Sequence, residues 1–155
     1  IYTCSQYLYM YCRIRLKDTN YQEVSNYKLL DSSFYDECFE IYRKYCEYKN
    51  FDSVIPIFRE ELEQNNCDII GYYDQDKLVA FSLVYRFDSL NCVYGDQFAW
   101  DYENPKLSIG HKANKNECAL YKRLGYEYYY LGEDSPYKSK LDGYEISHFF
   151  KTWQN

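Results

Sequence analysis

NPKLSIGHKANKNECALYKRLGYEYYYLG, residues 104–132, is the stretch on which the reading of the whole chain turns. Pro105 closes a turn, the apolar spacing predicts a helix from about Leu107 to Leu124, Gly125 stops it, and a strand follows from Tyr126 to Leu131. The helix opens on Ser and Gly and carries almost no acid. Its first N–H groups therefore lack partners within the helix at the positive end of its dipole, a setting that suits a phosphate or carboxylate. Between Pro105 and Arg123, five basic residues (Lys106, Lys112, Lys115, Lys122 and Arg123) stand against one acid, Glu117, in a chain of net charge −6. This edge is the expected ligand-facing one, and the acid excess lies elsewhere.

Upstream, Leu78 to Phe87 is apolar on both faces until Arg86, which predicts a central strand. The preceding apolar run, separated from it by Asp74, Gln75 and Asp76, forms a β-hairpin with it. Leu90 to Trp100 supplies the next strand after the turn DSLN. Before the hairpin, Phe34, Cys38, Ile41, Tyr42 and Tyr45 recur at helical spacing behind the caps Asp31, Ser32 and Ser33. A second helix is predicted from Ser53 to Gln64, with Pro56 in its first turn. YCRIRL, near the N-terminus, reads as an edge or first strand. Downstream of Gly132 a Pro-containing turn leads to a short strand. One strand–helix–strand crossover at the end of an antiparallel meander describes an α+β sandwich with helices on both sheet faces.

At 155 residues and 46% apolar composition the chain is expected to form one domain, residues 1–155, with a substantial core. No apolar run approaches the length of a membrane span, so a soluble, cytoplasmic protein with no membrane partner is expected. Seven cysteines is an odd number, and none forms a C-x-x-C pair. That argues against a disulfide framework and a zinc knuckle; reduced, mostly buried thiols and no metal are expected. Twenty-two tyrosines would suit base stacking, yet a tyrosine-heavy core with hydroxyls reaching the surface is the safer inference. From Asp31 to Asp68 ten acids outnumber four basic residues, which reads as a solvated acidic face on the two helices. The acidic balance opposes general nucleic-acid binding and permits only a local basic footprint.

The element order, with FAWDYENPKLSIG, the helix, RLGYEYYYLG and SPYKSK, resembles the GNAT acyltransferase fold, a mixed and mostly antiparallel sheet with helices on both faces. Where that superfamily carries a Q/R-x-x-G-x-G/A turn for coenzyme A, this chain has NPKLSIGHKAN. The sequence is more similar to the C-terminal domain of arginyl- and leucyl-tRNA:protein transferases, in Phe98 to Asp101, Leu107-Ser108-Ile109-Gly110, Glu117 to Gly125, Tyr128 to Gly132 and Ser135-Pro136-Tyr137-Lys138. It lacks that family's aromatic-rich insertion before the Tyr-Lys pair and retains only Cys4 and Cys12 where the family has a cysteine-rich region. The ending Y-L-G-x-D-x-x-Y-K is also similar to that of FemX-like transferases. Both resemblances imply aminoacyl-tRNA as donor, no bound cofactor, and an amine or protein N-terminus as acceptor. An acetyl-coenzyme A-dependent acetyltransferase is the alternative, and a catalytically silent binding protein of the same fold is a third reading.

Aminoacyl transfer requires a neutral amine, a route for its proton and donors for an oxyanion. Asp96, in the strand facing the expected cleft, is the candidate proton acceptor; a solvated acid explains it as well. Ser108, Gly110 and His111 would hold the donor's phosphate or terminal adenosine, with Ser108 as a plain N-cap the competing account. Tyr137 and Lys138 would serve the leaving oxygen and phosphate, or be turn residues. Trp100 and Tyr102 would stack an adenine or pack the sheet edge. Gly132 ends the strand on the donor side, and Arg86 would grip an acidic acceptor group.

Overall fold

The computed structural model describes residues 4–50, 57–101, 103, 109–133 and 135–154, and side chains over 11–147 of these except at 133. Seven strands form one sheet: β1 (Cys4–Arg15), β2 (Tyr27–Leu30), β3 (Cys67–Asp74), β4 (Lys77–Phe87), β5 (Cys92–Trp100), β6 (Tyr128–Glu133) and β7 (Tyr144–Gln154). Among the described residues three α-helices accompany them: α1 (Tyr35–Lys49), the single turn α2 (Arg59–Leu62), and α3 (Ile109–Arg123). The strand order is β2-β3-β4-β5-β6-β1-β7, antiparallel throughout except for β5 and β6. The mixed, mostly antiparallel sheet and its one parallel crossover through α3 agree with the expected architecture.

Alternation along the strands divides the apolar residues between two cores. On one face α1 lays Cys38, Ile41, Tyr42 and Cys46 over Ile69, Phe81, Leu83 and Ala99. On the other, α3 lays Ile109, Ala113, Leu120 and Tyr121 over Tyr72, Ala80, Val84, Val93 and Tyr129. Because β4 is covered on both sides, it is apolar on both sides. Six cysteines, Cys12, Cys38, Cys46, Cys67, Cys92 and Cys118, are buried thiols; burial pushes those of Cys38 and Cys67 up to about 12 and about 11, which keeps them unreactive.

Several boundaries differ from the sequence reading for identifiable reasons. The N-terminal strand is interior, since β1 pairs with β6 on one side and β7 on the other. The second helix is only Arg59–Leu62 within the described residues, and residues 53–56 lie outside them. Strand β6 begins at Tyr128 because α3 ends in a Schellman motif. Gly125, at φ +93°, bonds Lys122 O, and Tyr126 N–H reaches Tyr121 O at 3.0 Å.

Candidate active site

The site grows from the way β5 and β6 separate. They pair only at Cys92↔Tyr128, Val93↔Tyr129 and Tyr94↔Tyr130, although β5 runs on to Trp100. Each strand carries a bulge just past this point. In β5 the register against β4 shifts between Val84↔Gly95 and Leu83↔Gln97, so Asp96 is the extra residue. In β6 it shifts between Arg13↔Tyr130 and Cys12↔Gly132, which makes Leu131 the extra one. A bulge bends its strand and increases twist, so the paired bulges turn β5 and β6 away from each other.

The α3 side of this divergence is filled by a buried carboxylate. Glu117 is 2% exposed and accepts hydrogen bonds from Tyr72 Oη at 2.6 Å, Ser82 Oγ at 2.8 Å and Tyr129 Oη at 2.6 Å. Asn116 braces Tyr72 through Nδ2 at 3.2 Å and accepts Val24 N–H at 2.7 Å. Burial raises the Glu117 carboxyl above its ordinary range, and the three hydroxyls pull it partly back. A satisfied polar cluster of this kind fixes one arrangement of the strands, because an unpaired partner in a low-dielectric core is costly.

Where β5 runs beyond the divergence and α3 begins, a cavity of about 420 Å³ opens. It is lined by Phe98 and Trp100 from β5, Ile109, Gly110, His111 and Asn114 from α3, Tyr45 and Lys49 from α1, and Tyr137. No acid lies in the first turn of α3. Trp100 stands edge-on to Tyr48 at 6.2 Å between centroids, and His111 edge-on to Tyr137 at 6.3 Å. Burial is the main reason the Tyr137 phenol lies above its usual range, so it holds a proton at neutral pH. Lys49 closes α1 with its ammonium 5.8 Å from the Tyr45 ring centroid.

Trp100, Gly110, His111 and Tyr137 thus line one cavity. Asp96 sits on the neighbouring bulge, where its carboxyl is raised first by desolvation and then by the Glu61 charge. Ser108 and Tyr102 lie outside the described residues. The remaining candidates take other places. Gly132, at φ +80°, is the next-to-last residue of β6, beside the Tyr94 hydroxyl, and Lys138 donates through Nζ to Leu131 O at 2.9 Å, tying the turn to β6. Arg86 lies far along β4, bound to Asp68 at 3.1 Å and to Asn65 O at 2.5 Å, with Tyr121 Oη also on Asp68. It pairs within the fold and is not among the residues that line the cavity at α3.

Tyr45, Lys49 and Asn114 belong to the cavity without having been singled out from sequence. Asn114 follows Gly110 by four residues, a helical neighbour that periodicity alone brings to the same face. Nothing local marks Lys49, whose place depends on how α1 crosses β5.

No family model matches the sequence, and no curated protein matches it. Solved structures do. The C-terminal DUF2156 domain of a putative lysylphosphatidylglycerol synthetase from Agrobacterium fabrum aligns with a TM-score of 0.66 and 12% identity over 84% of this chain and 48% of that one. Saccharomyces cerevisiae N-myristoyltransferase with bound myristoyl-CoA gives 0.62 and 12% over 96% and 51%. A GCN5-related N-acetyltransferase from Kribbella flavida gives 0.60 and 10% over 99% and 38%. The chain spans about half the length, or less, of these structures. At such identities the likeness is one of fold, and the fold of this chain is that of the GNAT acyltransferases.

Proposed function

We propose that the chain transfers an acyl group, an aminoacyl group carried on tRNA, to an amine. The observation that carries this reading is the cavity at the start of α3. It joins an acid-free helix N-terminus, a lysine, a histidine and the aromatic rings of Phe98 and Trp100 beside the point where two parallel strands part. Such a set suits a terminal nucleotide: rings for the base, cation and N–H groups for phosphate. Two of the similar structures are named as a domain of a putative lysylphosphatidylglycerol synthetase and as an N-myristoyltransferase with bound myristoyl-CoA, names that support acyl chemistry on this fold.

In the reaction, the amine nitrogen attacks the ester carbonyl and its surplus proton passes to Asp96. N–H groups of β5 beyond Tyr94, which have no β6 strand opposite, donate to the oxyanion. The ester C–O bond then breaks, Tyr137 gives its proton to the departing ribose oxygen, and the phenolate recovers one from Asp96 through solvent. Ester and amine become amide and alcohol with no net proton change.

The test is a filter-binding titration of the pure protein with charged tRNA, uncharged tRNA and acetyl-coenzyme A at two salt concentrations. Preference for charged tRNA that weakens with salt is the expected result. Saturable coenzyme A binding with silence toward tRNA selects the acetyltransferase instead, and silence toward both leaves a binding protein.

A further inference from the structure

A second cavity, of about 560 Å³, lies on the α1-side face of the sheet where α1 no longer covers it. Tyr94 from β5, Tyr128 and Tyr130 from β6 and Arg13 from β1 form its floor, and Phe87 and Leu90 its rim. Its size is that of small-molecule sites. Its floor is also fixed in advance. The Arg13 guanidinium lies 3.8 Å from the Tyr128 ring centroid, donates to Tyr130 Oη at 2.9 Å, and is ion-paired with Glu145 at 2.6 Å. Glu145 also takes Arg15 at 3.0 Å, and Arg15 faces Asp18 at 3.9 Å. The four charges balance one another and leave the floor without a net demand for a counter-ion. What remains is a set of flat faces, which favour a stacked ring over a flexible chain.

Beyond one end of this cavity the strand changes character. Two residues past Tyr94 on β5 stands Asp96, the bulged residue, midway along the strand to Phe98 and Trp100 of the other cavity, and its carboxyl is raised by burial and by the Glu61 charge. Strand β5 therefore runs from the aromatic cavity through an acidic bulge to the cavity at the start of α3. A ligand with a neutral ring and a basic end would lie along it in only one direction.

We infer that the aromatic cavity binds the acceptor, and that the acceptor is a primary amine attached to an uncharged aromatic group. The inference rests on the transfer reading for its word acceptor, but the binding site itself stands on the cavity. The same chemistry occurs in a free arylalkylamine and in a polypeptide whose first residue is aromatic.

The experiment is calorimetric titration of the whole chain with tyramine, the tripeptide Tyr-Gly-Gly, p-cresol (ring without amine) and agmatine (amine without ring). Each is repeated on Leu90→Trp, which crowds the mouth from a position 70% exposed, and on Tyr128→Leu. Tyramine or the tripeptide should bind, at least tenfold more tightly than agmatine and than p-cresol. Leu90→Trp should weaken that binding at least tenfold while the melting temperature and donor binding stay as in the wild type. A tighter tripeptide identifies a polypeptide N-terminus, and a tighter tyramine a free amine. Absence of binding by both aromatic amines, equal binding of agmatine, or indifference to Leu90→Trp overturns the inference. Aromatic amine binding in a protein that binds neither charged tRNA nor acetyl-coenzyme A overturns the transfer reading and leaves the site.

Discussion

The Tyr129 hydroxyl donates to Glu117 Oε1 at 2.6 Å and occupies the space where a side chain on Gly95 would begin, 2.8 Å from that position. Gly95 is the first residue of β5 beyond its last pair with β6. The buried ring of one parting strand thus lies over the bare backbone of the other, and a carboxylate from α3 holds it there.

Gly95→Ala should therefore be destabilising by about 1–3 kcal/mol, as overpacking in a tight core is. Tyr129→Phe removes one donor from a buried carboxylate and should lose a similar amount, about 1–3 kcal/mol. The two changes are not independent, because deleting the hydroxyl also deletes the clash. The double variant should be more stable than the sum of the singles by about 1 kcal/mol in urea unfolding; strict additivity would mean that the two groups do not meet.

Glu117 should leave a mark on the pH dependence of stability. Its folded carboxyl, raised chiefly by burial, holds its proton to higher pH than the ordinary glutamate value of 4.5. Above that value the native state binds more protons than the unfolded chain, so this group's contribution is fully present at lower pH and declines as pH rises through the folded pKa. Glu117→Gln lacks the titration. The stability of the wild type relative to this variant should fall as pH is raised from about 4.5, the unfolded value. A difference that is flat with pH in urea melts would show that Glu117 titrates as an ordinary acid.

Lys49 is the test of the donor cavity that the sequence did not supply. If its ammonium meets a phosphate there, Lys49→Ala should weaken charged-tRNA binding uniformly across tRNA sequences. It should also reduce the slope of log affinity against log salt by about 0.7–0.9, the share of one phosphate contact. Filter binding over a salt series measures both. An unchanged slope places the phosphates elsewhere.

The elements and the acid-free start of α3 were legible because they rest on local chemistry: helical spacing behind a turn, a glycine in the left-handed region at Gly125, and alternation that stops where β4 is covered twice. The interior place of β1 was not, since pairing partners more than a hundred residues apart leave no local trace. Glu117 enters the sequence reading as the one acid among the charges of its segment. A buried acid is spelled like an exposed one, and the hydroxyls that satisfy it come from β3, β4 and β6. Arg86 is the converse case. A charge ending an apolar strand suggests a ligand, yet its partner Asp68 lies on the adjoining strand and completes the pair within the fold.

Arg86→Met should consequently affect stability and not binding. It leaves Asp68, itself 20% exposed at the side chain, with the Tyr121 hydroxyl as its remaining bonded partner. With both groups partly solvated, about 1–2 kcal/mol of destabilisation is expected from the hydrogen bonds to charge. Titration of charged tRNA and of tyramine should give wild-type affinities. A specific loss of either ligand in a folded variant would restore Arg86 to the site.

Asp96 carries the proton in the proposed transfer, and its surroundings set the pH at which it can. Desolvation on the bulge, with the Glu61 charge second, lifts its carboxyl above the ordinary value of 3.8, so the carboxylate form is reached at higher pH than for a free aspartate. An acid that must accept a proton works only when ionised. The rate of amide formation from charged tRNA and amine, measured as kcat/KM, should therefore rise with pH along a limb displaced above the usual aspartate range. Asp96→Asn keeps the size of the side chain and cannot accept. It should lower kcat by about 100-fold or more, the lower end of what a positioned base contributes, remove that limb, and leave donor binding intact. Glu61→Gln, which removes the repelling charge and keeps Asp96, should move the limb toward lower pH. A limb that stays in place in the Glu61 variant, or full activity in the Asp96 variant, would assign the proton to another group.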